Sequence, residues 1–135
     1  MAKILLAEDD PSVRGFVSRA LEMDGHEVVV TEDGGLAAEA ALEHNGEFDL
    51  LLSDIKMPVM DGIALSLSIA AQYPDITILL MTGFADQRER AHGLDALVHD
   101  VVPKPFTLAD IRAKVAEALE GREVEKETLA KKFGA

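Results

Sequence analysis

The sequence predicts an α/β protein, a doubly wound parallel sheet with helices on both faces, and two observations carry that reading. Strand-like and helix-like segments alternate about five times along the 135 residues, the pattern of a parallel sheet with helical crossovers. The strand-like segments are near-continuous apolar runs, such as Ile4-Leu5-Leu6-Ala7 and Leu50-Leu51-Leu52, as expected for strands buried on both sides.

Strands are expected near residues 3–7, 26–30, 49–53, 76–81 and 98–102. The first helix is the clearest: Val13, Phe16, Val17, Ala20 and Leu21 form one apolar stripe at i, i+3, i+4, i+7 and i+8, which places Phe16 in the core. Asp10 is its expected N-cap, Pro11 suits the first turn where a missing N–H costs nothing, and Gly25 ends it. Helices near 35–45, 62–72 and 86–94 follow, the last of these mostly polar through Asp86-Gln87-Arg88-Glu89-Arg90. The final helix has Thr107 as N-cap, Leu108, Ile111, Val115 and Leu119 on one face, and Gly121 as its terminator. Residues 1–120 are thus read as one domain and 121–135 as a mobile charged tail, where Val124, Leu129 and Phe133 are too sparse to support an isolated helix.

Composition narrows the function. There is no Cys, so thiolate and disulfide chemistry are out, and the start Met1-Ala2-Lys3-Ile4 lacks a signal peptide's long apolar segment. A cytoplasmic location is expected, with no membrane span, because no apolar run approaches the ~20 residues a bilayer requires. Residues 1–120 carry 9 Lys and Arg against 22 Asp and Glu, and that surface repels nucleic acid.

The informative residues are the polar ones that close the apolar runs. Glu8 and Asp9 close the first, Asp54 the third, Thr82-Gly83 the fourth, and Lys104-Pro105 follows the fifth. Ligands of open α/β sheets bind outside the carboxyl ends of the strands, so these groups converge on one crevice. Three clustered carboxylates repel one another and require a positive partner. All-oxygen ligands without His or Cys favour Mg²⁺, with Mn²⁺ as the other choice, and Mg²⁺ commonly shares a phosphate. An Asp carboxylate such as Asp54 can attack phosphorus when a metal and a cation such as Lys104 neutralise the transferring group, with Thr82 as a hydroxyl donor. Singly, each residue also reads as scaffold: Glu8 or Asp10 as caps, Thr82 as a turn, Lys104 as a surface charge. Their occurrence at four strand ends favours a site.

These residues resemble the receiver domains of two-component response regulators. The resemblance covers residues 1 to about 120: the acid pair Glu8-Asp9, the acceptor Asp54 in Ser-Asp-Ile-Lys-Met-Pro-Val-Met-Asp-Gly, Thr82 in Met-Thr-Gly, and Lys104 in Pro-Lys-Pro-Phe occur in the family's order and spacing. It implies a flavodoxin-like fold of five strands in the order 2-1-3-4-5 with five helices, an arrangement for which a chemotaxis receiver is a standard example. It also implies the roles: Asp54 takes the phosphoryl group, Asp9, Asp54 and the Lys56 main-chain carbonyl bind Mg²⁺, Glu8 acts through a metal-bound water, Lys104 pairs with a phosphoryl oxygen before a cis bond to Pro105, and Thr82 moves toward the phosphate. Lys56 and Phe84 flank the path of attacking water. One departure stands out: many receivers carry Phe or Tyr three residues before the lysine, and here that position is Val101, so coupling must use backbone or packing shifts.

The implied partners are a histidine kinase or a histidine phosphotransfer protein. Ile4-Leu-Leu-Ala-Glu-Asp-Asp and Met81-Thr-Gly-Phe-Ala further resemble short CpdR-type cell-cycle receivers of alphaproteobacteria. That implies a stand-alone regulator, not a turnover enzyme, whose unphosphorylated form is an adaptor for an ATP-dependent protease or its unfoldase. A phosphate shuttle or sink in a phosphorelay is the alternative, and the oligomeric state stays open. An aspartyl phosphatase reading is disfavoured, because that class carries a second Asp two residues after the nucleophile and here Lys56 stands there. His26, His44, His92 and His99 share no metal-ligand spacing and read as scaffold, as do Met57, Met60, Met81, Phe106 and the turn residues Pro58, Asp61 and Gly62.

Overall fold

The computed structural model describes the backbone of residues 1–83, 93–94 and 96–133, and the side chains of these except at 124–126, 129–130 and 132–133. Strands β1 (Lys3–Ala7), β2 (Glu27–Thr31), β3 (Leu50–Asp54), β4 (Thr77–Thr82) and β5 (Asp100–Pro103) form one parallel sheet in the order β2-β1-β3-β4-β5. Helices α1 (Pro11–Met23), α2 (Gly34–Glu43), α3 (Gly62–Gln72) and α4 (Leu108–Phe133) are described; residues 86–92 of the helix expected near 86–94 lie outside the described residues, and 93–94 form a turn.

Strand parity divides the core. Leu5, Ala7, Leu51, Ile78 and Leu80 face one side and pack with Ala37 and Ala41 of α2 and Leu65 and Ile69 of α3. Ile4, Leu6, Leu50, Leu52, Leu79 and Met81 face the other and pack with Val17, Ala20 and Leu21 of α1 and Ile111, Val115 and Ala118 of α4. Successive strand residues point to opposite faces, so a sheet covered on both sides requires unbroken apolar runs.

The helix ends follow local chemistry. Asp10 accepts from the N–H groups of Ser12 and Val13, and Pro11 opens α1. At its other end Gly25 has φ +84°, with Gly25 N–H on Glu22 O and His26 N–H on Leu21 O, a Schellman motif. Thr107 and Asp110 form a reciprocal capping box: Asp110 N–H donates to Thr107 Oγ1 and Thr107 N–H to Asp110 Oδ2, each at 3.0 Å.

Two expectations are corrected. Gly121 does not end the last helix, which runs on to Phe133. Arg122, one residue beyond, donates to Asp49 Oδ1 at 2.9 Å and to the Asp75 carbonyl at 3.2 Å, and these tertiary contacts offset the roughly 1 kcal/mol that a helical glycine costs. Phe16 is not core: it is 40% exposed and stacks on Phe106 at 6.5 Å, because the apolar stripe of α1 is wider than the surface it covers. Phe106 is itself half-buried at the edge of the second cluster.

Two glycines make opposite predictions. A Cβ on Gly62 would lie 2.1 Å from the Asp54 carbonyl oxygen, so Gly62→Ala should lower stability by about 1–3 kcal/mol. A Cβ on Gly15, within α1, would meet nothing within 4 Å, so Gly15→Ala should raise stability by about 1 kcal/mol. Urea denaturation of both variants checks the signs.

Candidate functional site

The site stands at the carboxyl edge of the sheet. Glu8 and Asp9 follow β1, Asp54 is the last residue of β3, Thr82 the last of β4, and Lys104 follows β5. Parallel pairing aligns these ends: Asp54 is in register with Met81, and Thr82 with Pro103. The Lys104 N–H donates to the Thr82 carbonyl at 2.6 Å, which fixes the start of the last loop.

The structure brings the predicted residues together. One carboxylate oxygen from each of Glu8, Asp9 and Asp54 lies within 4.8 Å of the others. Lys104 Nζ is 2.7 Å from Glu8 Oε1 and 3.1 Å from Asp54 Oδ2. The other Asp54 oxygen accepts from Ile55 N–H at 2.9 Å. Asp9, Asp10, Asp54, Lys56, Met57, Pro58, Gly83 and Lys104 line an open cleft of about 640 Å³. Thr82 is buried in the strand end, and its Oγ1 has no hydrogen-bond partner among the described residues. The Lys104–Pro105 peptide bond is cis. Phe84 lies outside the described residues, and Val101 is half-buried against the α2/α3 side of the core.

Charge in this cleft is unbalanced. Glu8 is fully buried, and its burial pushes its pKa from 4.5 up to about 7; the Lys104 hydrogen bond opposes this, while the neighbouring Asp54 carboxylate adds to it. Burial by itself would lower the Lys104 pKa, but the Glu8 hydrogen bond and the Asp54 charge outweigh it and raise the pKa. Among the described ion pairs, Lys104 is the ammonium that meets the three-acid cluster, through Glu8 and Asp54. The donor set is all oxygen, and a hard divalent cation fits it on charge and on ligand type.

The loop from β3 to α3 is held tightly. Gly62 N–H donates to the Ile55 carbonyl at 2.7 Å, and Asp61 caps α3 through Ala64 N–H. Met60 N–H donates to the Pro58 carbonyl at 2.8 Å around Val59, whose φ is +70°, a γ-turn that a β-branched residue adopts only under strain. The N-terminus of α2 packs against it: a Cβ on Gly34 would lie 2.0 Å from the Met60 carbonyl oxygen. Nothing in the sequence marks Val59 as strained, because the turn depends on contacts from a distant helix. Two further features escaped sequence reasoning. Arg14 of α1 reaches back to the acid-pair backbone, for which an Arg soon after an acidic triplet was the available signal. Ser12, Val13, Phe16, Gly83, Lys104, Pro105 and Phe106 line an apolar groove of about 530 Å³ that shares Gly83 and Lys104 with the acidic cleft.

The raised Glu8 pKa sets a pH dependence. The folded protein holds the Glu8 proton up to about pH 7 while the unfolded chain releases it near 4.5, so this group's contribution to stability is full below 4.5 and declines as pH rises toward 7. Glu8→Gln should flatten that decline in metal-free protein, a difference of up to about 3 kcal/mol at neutral pH. Urea titrations with a chelator at pH 5, 6 and 7 measure it.

The response regulator receiver domain family matches residues 4–116. The response regulator receiver protein CpdR of Brucella abortus is 39% identical over 119 residues, covering 88% of this chain and 98% of that protein. The transcriptional regulatory protein PrrA of Mycobacterium tuberculosis is 32% identical over 120 residues, covering 89% of this chain and 51% of its own length; the chain thus spans about half the length of such curated relatives. A CheY-like receiver domain from Methanospirillum hungatei superposes with a TM-score of 0.83 at 30% identity, covering 93% of this chain and 98% of that one. With the acid pair, Asp54, Thr82 and Lys104 gathered at one sheet edge, the chain belongs to the response regulator receiver domain family.

Proposed function

We propose that this chain is a phosphorylation-controlled protein-binding switch that accepts a phosphoryl group on Asp54 from a histidine kinase or histidine phosphotransfer protein. The observation that carries this reading is Lys104 Nζ at 3.1 Å from Asp54 Oδ2, beside a three-carboxylate cluster with room for a divalent cation. Asp9, Asp54 and the Lys56 main-chain carbonyl would hold Mg²⁺ or Mn²⁺, with Glu8 acting through water. Held by these residues, such an ion would supply positive charge to offset that on the phosphoryl oxygens.

Asp54 attacks phosphorus as the P–N bond of a phosphohistidine breaks, and the imidazole leaves with the electron pair. Lys104 then exchanges a carboxylate partner for a phosphoryl oxygen. The Thr82 hydroxyl, which has no partner among the described residues, donates to another, which draws the end of β4 toward the site. Without an aromatic ring at Val101, the change travels through backbone and packing. The chain would not turn over external substrates.

The output we favour is adaptor function for an ATP-dependent protease in the cytoplasm, exerted by the unphosphorylated form. Its support is the similarity to CpdR over nearly the whole of that protein. The second reading, a phosphate shuttle or sink, uses the same site. A pull-down with wild-type protein and Asp54→Ala, each with and without a phosphodonor and Mg²⁺, separates them. Capture of an unfoldase or protease mainly by unphosphorylated protein and Asp54→Ala supports the adaptor; capture of only a kinase or phosphotransfer protein supports the shuttle.

Two outcomes follow at the site. Asp54→Ala should abolish phosphoryl incorporation measured by intact mass, and a chelator should do the same to the wild type. The groove beside the cleft offers an apolar seat to a histidine-bearing donor, so Phe16→Ala should slow transfer from the kinase about tenfold while labelling by a small phosphodonor stays unchanged.

A further inference from the structure

Asp9 differs from its two acidic neighbours in the cleft. Glu8 and Asp54 are buried and joined to Lys104, whereas Asp9 is exposed, and among the described residues its carboxylate has no hydrogen-bond or ion-pair partner. A side chain without a partner of its own is aimed by its backbone. The backbone of Asp9 is held from outside the cleft: Arg14 NH1 donates to the Glu8 carbonyl at 3.0 Å and to the Asp9 carbonyl at 3.4 Å. Those oxygens belong to the two peptide planes flanking the Asp9 Cα. Each plane is rigid, so anchoring both sets φ and ψ at Asp9 and with them the direction of its Cβ.

The rest of the loop supports this role. Glu8 N–H continues the ladder to the Thr31 carbonyl at 3.1 Å, and Asp10 is engaged in capping α1, so the Glu8-Asp9 segment is fixed at both ends. Glu8, Asp9 and Asp10 are three consecutive acids whose repulsion would otherwise spread the loop. Arg14 itself is half-buried and, among the described residues, has no carboxylate within ion-pair distance, although these acids lie close by in sequence. Its guanidinium serves main-chain oxygens instead.

We propose that Arg14 is a positioning residue for divalent-cation binding, which fixes the Asp9 carboxylate in the cleft by clamping the two peptide carbonyls on either side of it. The inference rests on the metal-binding part of the function proposed above. Arg14 touches neither the cation nor the reacting phosphoryl group and acts only through Asp9.

The sign of one measurement separates this role from plain electrostatics. Removing a positive charge near a cation site strengthens binding by Coulomb's law, whereas removing a clamp on a ligand weakens it, commonly tenfold or more for a residue that orients a metal ligand. Mg²⁺ affinity is measured by calorimetry on the full chain for wild type, Arg14→Met, Arg14→Lys and Asp9→Asn, with urea denaturation in chelator as the control for folding. Arg14→Met should weaken Mg²⁺ binding by about tenfold with a near-wild-type urea midpoint, and Arg14→Lys should recover part of that loss. Binding by Arg14→Met that equals or exceeds wild type overturns the proposal. Arg14→Ala gives the same two outcomes if the Met variant does not fold. If wild type binds no Mg²⁺, or Asp9→Asn binds it as well as wild type, the metal reading itself fails; if Asp9→Asn loses binding and Arg14→Met does not, only the role of Arg14 fails.

Discussion

The Lys104 ammonium, held between Glu8 and Asp54, is the interaction on which the functional end of this protein depends. Pairing β1 beside β3 delivers two carboxylates to the same end of the sheet, one of them with no exposure to water. Repulsion between buried anions at that spacing opposes the very pairing that creates them. Lys104, 96 residues from Glu8 in the chain, supplies the counter-charge from beyond β5 and joins the two sides of the sheet edge. The compensation is partial, and the all-oxygen carboxylate cluster fits a divalent cation on charge and ligand type.

That arrangement needs a rigid platform, and the sheet provides one. Each central strand divides its side chains between two apolar layers, so a slip of register by one residue would exchange the layers and also displace Asp54 and Thr82. The loops are fixed by close backbone approach: Gly62 lies against the Asp54 carbonyl and Gly34 against the Met60 carbonyl, where any side chain would collide. Between these contacts Val59 is held at φ +70°, a conformation that persists because the surroundings leave no alternative. The acid-pair loop is closed by Arg14 on its outer side. At the strand end the Thr82 hydroxyl is buried and, among the described residues, has no hydrogen-bond partner.

The parallel architecture, all five strands and the caps at Asp10, Gly25 and Thr107 were legible because they rest on local periodicity and on residues with narrow conformational roles. The placement of Glu8, Asp9, Asp54, Thr82 and Lys104 together was legible for a related reason: each sits at the end of an apolar run, and parallel strands put those ends on one side. Phe16 lies outside the core because a helical stripe reveals which face is apolar but not how far the covering surface extends. Gly121 does not act as a terminator because the contacts that carry the helix past it come from Asp49 and the Asp75 carbonyl, remote in sequence.

By itself, then, the sequence determined the fold class, the strand ends and the chemical character of the cleft, since strand periodicity, apolar continuity and acid placement are all local signals. Tertiary structure alone decided which carboxylates share Lys104, how far burial raises the Glu8 pKa, that Arg14 serves the backbone of Glu8 and Asp9, and that Val59 is strained. These properties are set by distance and by exclusion of water between groups far apart in the chain, and no pattern of neighbouring residues encodes either quantity.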